Sequence, residues 1–228
     1  RAPLFMMLSN GGLTHVDEAK RVPVQLLESG PAAGALAGAL FAKRSGLADV
    51  LAFDMGGTTA KAAIVENSQP ARTTEYEVGA GINLSSRLIK GGGHAVKLPF
   101  IDVSEIGAGG GSIVRVDAGG LIQVGPDSAG SAPGPACYAA GGERPTLTDA
   151  LVVLGYINPR AIAGGSVALN ADLAREAMKK HVCQPTGLDL MTAAYGVFSI
   201  AAATMMRAVK AVSTYRGRDP RDFSLFAF

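Results

Sequence analysis

Apolar positions in this chain come in short blocks separated by glycine-rich turns, and the period of those blocks changes along its length. Residues 4 to 8, Leu-Phe-Met-Met-Leu, predict a short buried strand that runs into a Ser9-Asn10-Gly11-Gly12 turn. Thr14 to Lys20 predicts a short helix, with Thr14 as N-cap and Asp17 and Glu18 in the first turn, where acids complement the helix dipole. Val22 to Leu27 reads as another strand, leading into Ser29-Gly30-Pro31. Pro31 suits a first helical position because its missing N–H would have no partner there, and the small-residue run Ala32 to Arg44 predicts a helix closed by Gly46. Val50 to Phe53 and Ala60 to Val65 read as two strands joined by a turn, and Thr73 to Val78 as a third that completes a meander.

From Gly79 to Pro99 the pattern loosens around Gly91-Gly92-Gly93. Ile101 to Ile106 leads into Gly107-Ala108-Gly109-Gly110-Gly111-Ser112. The strands Ile113 to Val116 and Leu121 to Val124, joined by Asp117-Ala118-Gly119-Gly120, then predict a hairpin. Residues 125 to 145 are dense in Gly, Pro, Ala and Ser, and Cys137 and Tyr138 within them predict an ordered loop packed over a site. Beyond it the period becomes helical. Thr146 or Thr148 caps a helix from Asp149 to Leu154 that ends at Gly155, and Asn170 caps a second from Ala171 to about Val182. Asp189 starts a third helix, running to about Val212, whose Ala, Met and Val content predicts burial on several sides with Met205-Met206 in the core. Phe223 to Phe228 begins a last strand. The order strand, turn, helix, strand makes the chain α/β, with a sheet-rich lobe at 29–124, a Gly/Pro loop at 125–145 and a helical part at 146–228.

Composition narrows the classes. The 228 residues suit one large domain or two small ones, and the start at Arg1 with an apolar end at Phe228 leads us to expect a piece of a longer protein. Hydrophobic residues make up 48% and charged residues 18%, with no apolar run of about 18 residues or more, so a soluble cytoplasmic chain without membrane span or signal peptide is expected. A net charge of +2 with scattered Lys and Arg argues against a nucleic-acid footprint. Cys137 and Cys183 stand far apart, and His15, His94 and His181 are equally scattered, so neither a disulfide framework nor a zinc site is indicated.

The chemistry concentrates in Phe53-Asp54-Met55-Gly56-Gly57-Thr58-Thr59. A turn with one carboxylate, two glycines and two hydroxyls is an oxyanion site in outline. Gly56 and Gly57 let the backbone approach a phosphate, Thr58 and Thr59 donate to its oxygens, and Asp54 holds a hydrated Mg²⁺ or orients a water. The same residues also suit a tight hairpin whose Asp bonds its own turn. The 107–112 stretch fits no dinucleotide fingerprint, because a strand and not a helix follows it. It is a loop that either touches a ligand or packs backbone tightly. Ser29-Gly30-Pro31 can offer a helix N-terminus to an anion or pack closely on a sheet. Arg216, Arg218 and Arg221 can clamp an anion or sit in a turn held by Asp219 and Asp222.

Together these stretches resemble the central part of the hydantoinase A / 5-oxoprolinase family, whose relatives include acetone and acetophenone carboxylases. The resemblance rests on Leu8 to Gly12, Ser29 to Gly34, Phe53 to Thr59, Ile106 to Ser112, Val124 to Tyr138, Pro145 to Ala150 and Arg216 to Phe223. It implies a ribonuclease-H-like lobe of the actin/hexokinase/Hsp70 ATPase type that uses ATP and Mg²⁺. In that reading Asp54 is the catalytic and metal residue; Gly56, Gly57, Thr58 and Thr59 hold phosphates, and Gly107, Gly109, Gly110, Gly111 and Ser112 line the nucleotide site. Many relatives have an acid after the Thr pair, where this chain has Ala60-Lys61, which substitutes a potential phosphate-binding cation for a metal-holding carboxylate. The implied reaction is phosphorylation of a cyclic amide for ring-opening hydrolysis, or of an enolate or bicarbonate in ketone carboxylation. The implied partners are a small cyclic amide or ketone and a hydantoinase B-type subunit, with oligomers possible. A reading from another class makes this segment a non-catalytic lobe that docks the partner subunit through residues 125–138.

Overall fold

In the computed structural model, which describes residues 3–78 and 93–228, the main sheet is built from the strands that the apolar runs at 50–53 and 60–65 predict. Val50–Met55 and Ala60–Glu66 pair antiparallel, with Val50 opposite Val65 and Asp54 opposite Lys61. Val103–Ile106 adds antiparallel to the second strand, and Ser224–Ala227 adds parallel to the first, giving the order 103–106, 60–66, 50–55, 224–227. Short Gln69–Pro70 also pairs with the 60–66 strand. One face is covered by the helix Ser29–Ser45, whose Ala32, Ala35, Ala39 and Ala42 pack on Val50, Ala52, Ala63, Val65 and Val103. Fully buried Val50, Ile64, Val65 and Val103 each contribute on the order of 1.5–3 kcal/mol of apolar burial. The helix carries almost no bulk because the sheet comes so near: a Cβ on Gly34 would fall 2.1 Å from the Phe228 ring, and one on Gly38 would fall 3.2 Å from Phe226. Ser29, Gly30 and Pro31 form the first turn of this helix, and the close packing begins further along it, since a Cβ on Gly30 would meet nothing within 4 Å.

These elements belong to a compact unit made of Arg1–Met55, Ala60–Ile106 and Arg207–Phe228; Gly56–Thr59 and Gly107–Met206 make a second. In the second unit, Ser112–Val116 and Ile122–Ser128 form the expected hairpin, and Asp117 Oδ1 closes its turn by accepting from Gly119 and Leu121 N–H at 2.9 and 3.0 Å. Of the two candidate caps, Thr146 is the one used. Its hydroxyl accepts from Asp149 N–H, Asp149 answers at Thr146 N–H, and the helix Leu147–Val153 follows. Asn170 caps Ala171–Met178, and Asp189 bonds Met191 and Thr192 N–H at the start of Leu190–Val212, both as predicted. The middle helix keeps its expected length, passing at Lys179 into a π-helical stretch that runs to Cys183 and then into Gln184–Thr186.

Several expectations are corrected. Val22 to Leu27 is not a strand: Pro23–Leu26 is a 3-10 turn, because Pro23 has no N–H for a ladder and the Gln25 carbonyl is taken by Ser9 N–H at 2.8 Å. Thr14 lies in a small strand, Leu13–His15, and the helix begins at Val16 with no side-chain cap. The strand at 4–8 shortens to Phe5–Met7 and is an edge, leaving Leu4 and Phe5 exposed. Thr73 to Val78 does not complete the meander. Arg72–Thr73 and Tyr76–Val78 pair elsewhere, with Phe100–Ile101 and His94–Val96, while the third strand of the main sheet is Val103–Ile106. That strand wins the place because it buries three of four residues and sets Glu105 opposite Lys61. The long C-terminal helix is buried along one stripe, Ala193, Ala194, Val197, Ala201, Ala208 and Ala211, rather than on several sides, and Met206 is exposed. Its segment Leu190–Arg216 is long and apolar enough to cross a membrane by length and composition alone, a test that the core helix of a soluble protein also passes. The loosely patterned stretch around Gly91 and Gly92 lies outside the described residues.

Candidate functional site

In the first unit, strand register sets Asp54, Lys61 and Glu105 in one row across three strands. The Lys61 ammonium turns toward Glu105, at 3.4 Å, and toward Glu28, at 3.6 Å. Glu28 reaches it from the residue before the Ser29–Ser45 helix, in a left-handed conformation (φ 58°) that a non-glycine residue adopts at some cost. Burial pushes the Glu28 carboxyl above its usual range; Lys61 pulls it down, and Glu105 and Asp54 push it further up. Lys61 is therefore engaged by protein carboxylates, which corrects its reading as a cation for phosphate. Among the described residues the Asp54 carboxylate has no ion pair or hydrogen bond, and the space beside it, about 10 Å³, is on the order of one water.

In the second unit, the turn Gly56–Thr59 is held from below by the glycine loop. Gly110 N–H donates to Gly56 O at 3.0 Å and Gly111 N–H to Gly57 O at 2.6 Å, while Gly56 N–H closes the turn on Thr59 O at 3.0 Å. The loop is fixed in turn: Thr148 donates both its N–H and its hydroxyl to Gly110 O at 2.9 Å, Gly111 O accepts from Ala129 N–H, and Ser112 Oγ accepts from Gly109 N–H. A Cβ on Gly109 would meet Gly56 O and Gly57 C at 2.7 Å, and one on Gly111 would meet Gly57 O at 2.8 Å. Glycine is needed here because two backbones touch. The outcome is asymmetric. The carbonyls of Gly56, Gly57 and Thr59 are occupied, whereas the N–H groups of Gly57, Thr58 and Thr59 donate to nothing among the described residues, and Gly57 and Thr58 are exposed. A turn with three of its four carbonyls filled and three of its four N–H groups open suits an anion.

The loop 125–145 includes an ordered stretch at Ala136–Tyr138, anchored by fully buried Asp149. That carboxylate accepts from Cys137 N–H at 2.7 Å, Ala136 N–H at 3.2 Å, and Thr146 N–H and Oγ1 at 2.8 Å. Burial, and then Asp149, push the Cys137 thiol far above its ordinary range, so it stays protonated and serves packing against Val152 and Ala174. The arginines are paired within the chain: Arg216 is bonded to Asp102, Arg218 to both oxygens of Glu66 at 2.7 and 2.6 Å, and Arg221 to Asp219. Of these pairs only the one with Asp219 was suggested by the sequence. The partners of Arg216, Arg218 and Lys61 are distant in the chain, and strand register locates only Glu105, opposite Lys61.

The model of the family described as hydantoinase/oxoprolinase matches residues 1–228. An uncharacterised protein of Methanocaldococcus jannaschii is 45% identical over 98% of this chain and 32% of its own length. The caprolactamase subunit alpha of Pseudomonas jessenii is 38% identical, with 98% of this chain and 30% of its own covered. The crystal structure of that ATP-dependent caprolactamase superposes with a TM-score of 0.76 at 35% identity, over 100% of this chain and 31% of that one. A nucleotide-free acetone carboxylase structure gives a TM-score of 0.82 at 26% identity, over 99% of this chain and 30% of that one. The chain thus spans about a third of the length of the relatives it matches. With its whole length matched, this chain belongs to the hydantoinase/oxoprolinase family.

Proposed function

We propose that this chain is the central part of an ATP-dependent cyclic amidase and that the segment Asp54 to Thr59 binds Mg·ATP. The observation that carries the reading is the turn's asymmetry: open N–H groups at Gly57, Thr58 and Thr59 over carbonyls tied down by Gly110 and Gly111. Such donors are preorganised for phosphate oxygens and need no rearrangement when charge develops on them. Ser112 and Gly109 serve the same end by fixing the loop beneath the turn, whereas a Cβ on Gly107 would meet nothing within 4 Å. Among the described residues no group of three or more His, Cys, Asp or Glu side chains could cage a metal. That fits Mg²⁺, which keeps several waters and takes one or two carboxylates alongside nucleotide phosphates. Asp54, left unpaired by the engagement of Lys61 with Glu28 and Glu105, would hold it. Bound ATP would supply a phosphoryl group to the amide oxygen, making the carbonyl carbon a better electrophile for water.

The strand order, with three antiparallel strands and a fourth parallel to the first, supports a ribonuclease-H-like lobe of the actin/hexokinase type. The likeness to acetone carboxylase supports a second reading, in which the phosphoryl group activates a ketone enolate or bicarbonate. Dependence on ATP supports a cytoplasmic location. The relative's name as a subunit supports a partner subunit of hydantoinase B type, and the exposed Met191, Tyr195 and Met206 of the long helix offer apolar surface for it. The test is ATP hydrolysis by the full-length protein with its partner subunit, stimulated by hydantoin, 5-oxoproline, caprolactam or acetone. Asp54→Ala is expected to abolish hydrolysis while leaving the circular dichroism spectrum and melting unchanged; undiminished turnover would remove Asp54 from the mechanism.

A further inference from the structure

By register, Lys61 stands between two acids. Asp54 is its cross-strand partner in the 50–55 strand, and Glu105 is its partner in the 103–106 strand. Directly opposed side chains of a sheet lie about 4.5–5.5 Å apart at Cβ, near enough for an ammonium to pair with either acid. The sheet alone therefore does not choose. The Lys61 ammonium is nonetheless found 3.4 Å from Glu105, and among the described residues it has no ion pair with Asp54. The added partner is Glu28, whose carboxylate reaches the same ammonium at 3.6 Å from outside the sheet. Glu28 is held there at a cost. It precedes the Ser29–Ser45 helix with φ 58° and ψ 22°, a left-handed conformation that a residue with a Cβ keeps only where its surroundings impose it. Residues at the start of a helix often cap it, but the Glu28 side chain makes no cap bond. That side chain is 19% exposed, and among the described residues Lys61 is its only ion-pair partner. Strain, burial and a single partner all direct the Glu28 carboxylate to Lys61.

We propose that Glu28 and Glu105 are positioning residues that hold the Lys61 ammonium away from Asp54, so that the Asp54 carboxylate stays available to a divalent cation. Two acids outweigh one: to pair with Asp54, an ammonium between Glu28 and Glu105 gives up both. With either acid removed the balance is one against one, and Lys61 divides its time between Asp54 and the acid that remains. The water-sized space beside Asp54 is lined by Lys61 as well, which gives the ammonium room to turn back. Once there, its N–H groups take the carboxylate lone pairs that a cation needs, and its charge repels the cation. The role of the released carboxylate rests on the reading of Asp54 as a Mg²⁺ ligand; the place of Lys61 does not.

The experiment is a double-mutant cycle on the full-length protein with ADP present, read by the electron paramagnetic resonance of free Mn²⁺, which takes the same oxygen ligands as Mg²⁺. Glu105→Gln and Glu28→Ala are each expected to weaken Mn²⁺ binding about tenfold, and adding Lys61→Met to either is expected to return it to within about threefold of the parent. Lys61→Met alone is expected to change the affinity by less than about threefold, because the ammonium is already held away. Two acids are tested so that a variant that does not fold leaves the other, and ADP affinity without metal reports whether the nucleotide site is intact. If Lys61→Met strengthens Mn²⁺ binding equally in the parent and in Glu105→Gln, the acids act only by charge at a distance and the proposal is overturned. It is also overturned if both acid variants bind Mn²⁺ as the parent does. Asp54→Asn separates the two readings. Lost Mn²⁺ binding there, with an additive cycle, sinks the positioning and keeps Asp54 as ligand, whereas undiminished binding in Asp54→Asn sinks the metal reading and the positioning with it.

Discussion

Two glycine-dependent contacts in this molecule look alike in the sequence and do opposite things. Along the Ser29–Ser45 helix, Gly34 and Gly38 clear space for the rings of Phe228 and Phe226, so glycine there lets apolar side chains approach a helix. In the 107–112 loop, Gly109 and Gly111 clear space for the backbone of Gly56 and Gly57, and the contact is made of hydrogen bonds. The first contact removes apolar surface from water and leaves nothing over. The second fills carbonyls and leaves N–H groups open, so it builds a recognition surface as a by-product of packing. Small residues are therefore a poor guide to a site; what separates the two cases is whether the group they admit has hydrogen-bonding capacity remaining.

The sharpest way to break this contrast is Gly109→Ala. Its Cβ would press on Gly56 O, Gly57 C and Gly57 O, all backbone atoms within 2.8 Å, and backbone has little freedom to give. A loss of about 3 kcal/mol in urea denaturation is expected, together with loss of nucleotide binding by the full-length protein. Gly34→Ala meets the end of a Phe228 side chain that is 47% exposed and can swing aside. A cost of about 1 kcal/mol with nucleotide affinity unchanged is expected there. If Gly34→Ala costs as much as Gly109→Ala, or if both spare nucleotide binding, the distinction falls.

The opening and closing of helices and hairpins were legible because single residues decide them. Gly46, Asn170, Asp189 and the Asp117–Gly120 turn act locally and sit where the pattern puts them. Partner choice was not legible. The third strand of the sheet went to 103–106 instead of 73–78 because sheet position depends on which strand can bury both faces, a property of the assembled neighbours. Lys61 read as a spare cation because Glu28 and Glu105 are distant in sequence, and Pro23 was undervalued as a strand breaker within an apolar run. In the site, the turn at 56–59 and the glycine loop were both visible, but which of their N–H groups remained open depended on a register between two glycine runs that carries no side-chain signature.

Thr148→Val tests the support beneath the loop. It removes the hydroxyl donor to Gly110 O but keeps the N–H donor to the same oxygen, so about 1 kcal/mol of stability and a modest weakening of nucleotide binding are expected. Glu28→Gln has the smallest expected effect and a defined sign. The Glu28 carboxyl titrates above its ordinary 4.5 in the folded protein, so the folded state keeps a proton that the unfolded chain has already released. In that window stability falls as pH rises, and the glutamine variant does not share the fall. Relative to the parent, Glu28→Gln is expected to gain stability as pH is raised from 4.5 to neutrality in thermal melts, and a constant difference across that range would rule the linkage out.

The open donors of Gly57, Thr58 and Thr59 are main-chain atoms. Every amino acid except proline has them, so an alanine scan across this turn would remove two hydroxyls and leave the N–H cradle chemically intact. A mutational map of the protein would therefore score the turn as tolerant wherever backbone shape survives. Its contribution becomes visible only when the amide itself is changed, as by an ester in place of the Thr58 peptide bond in a semisynthetic protein.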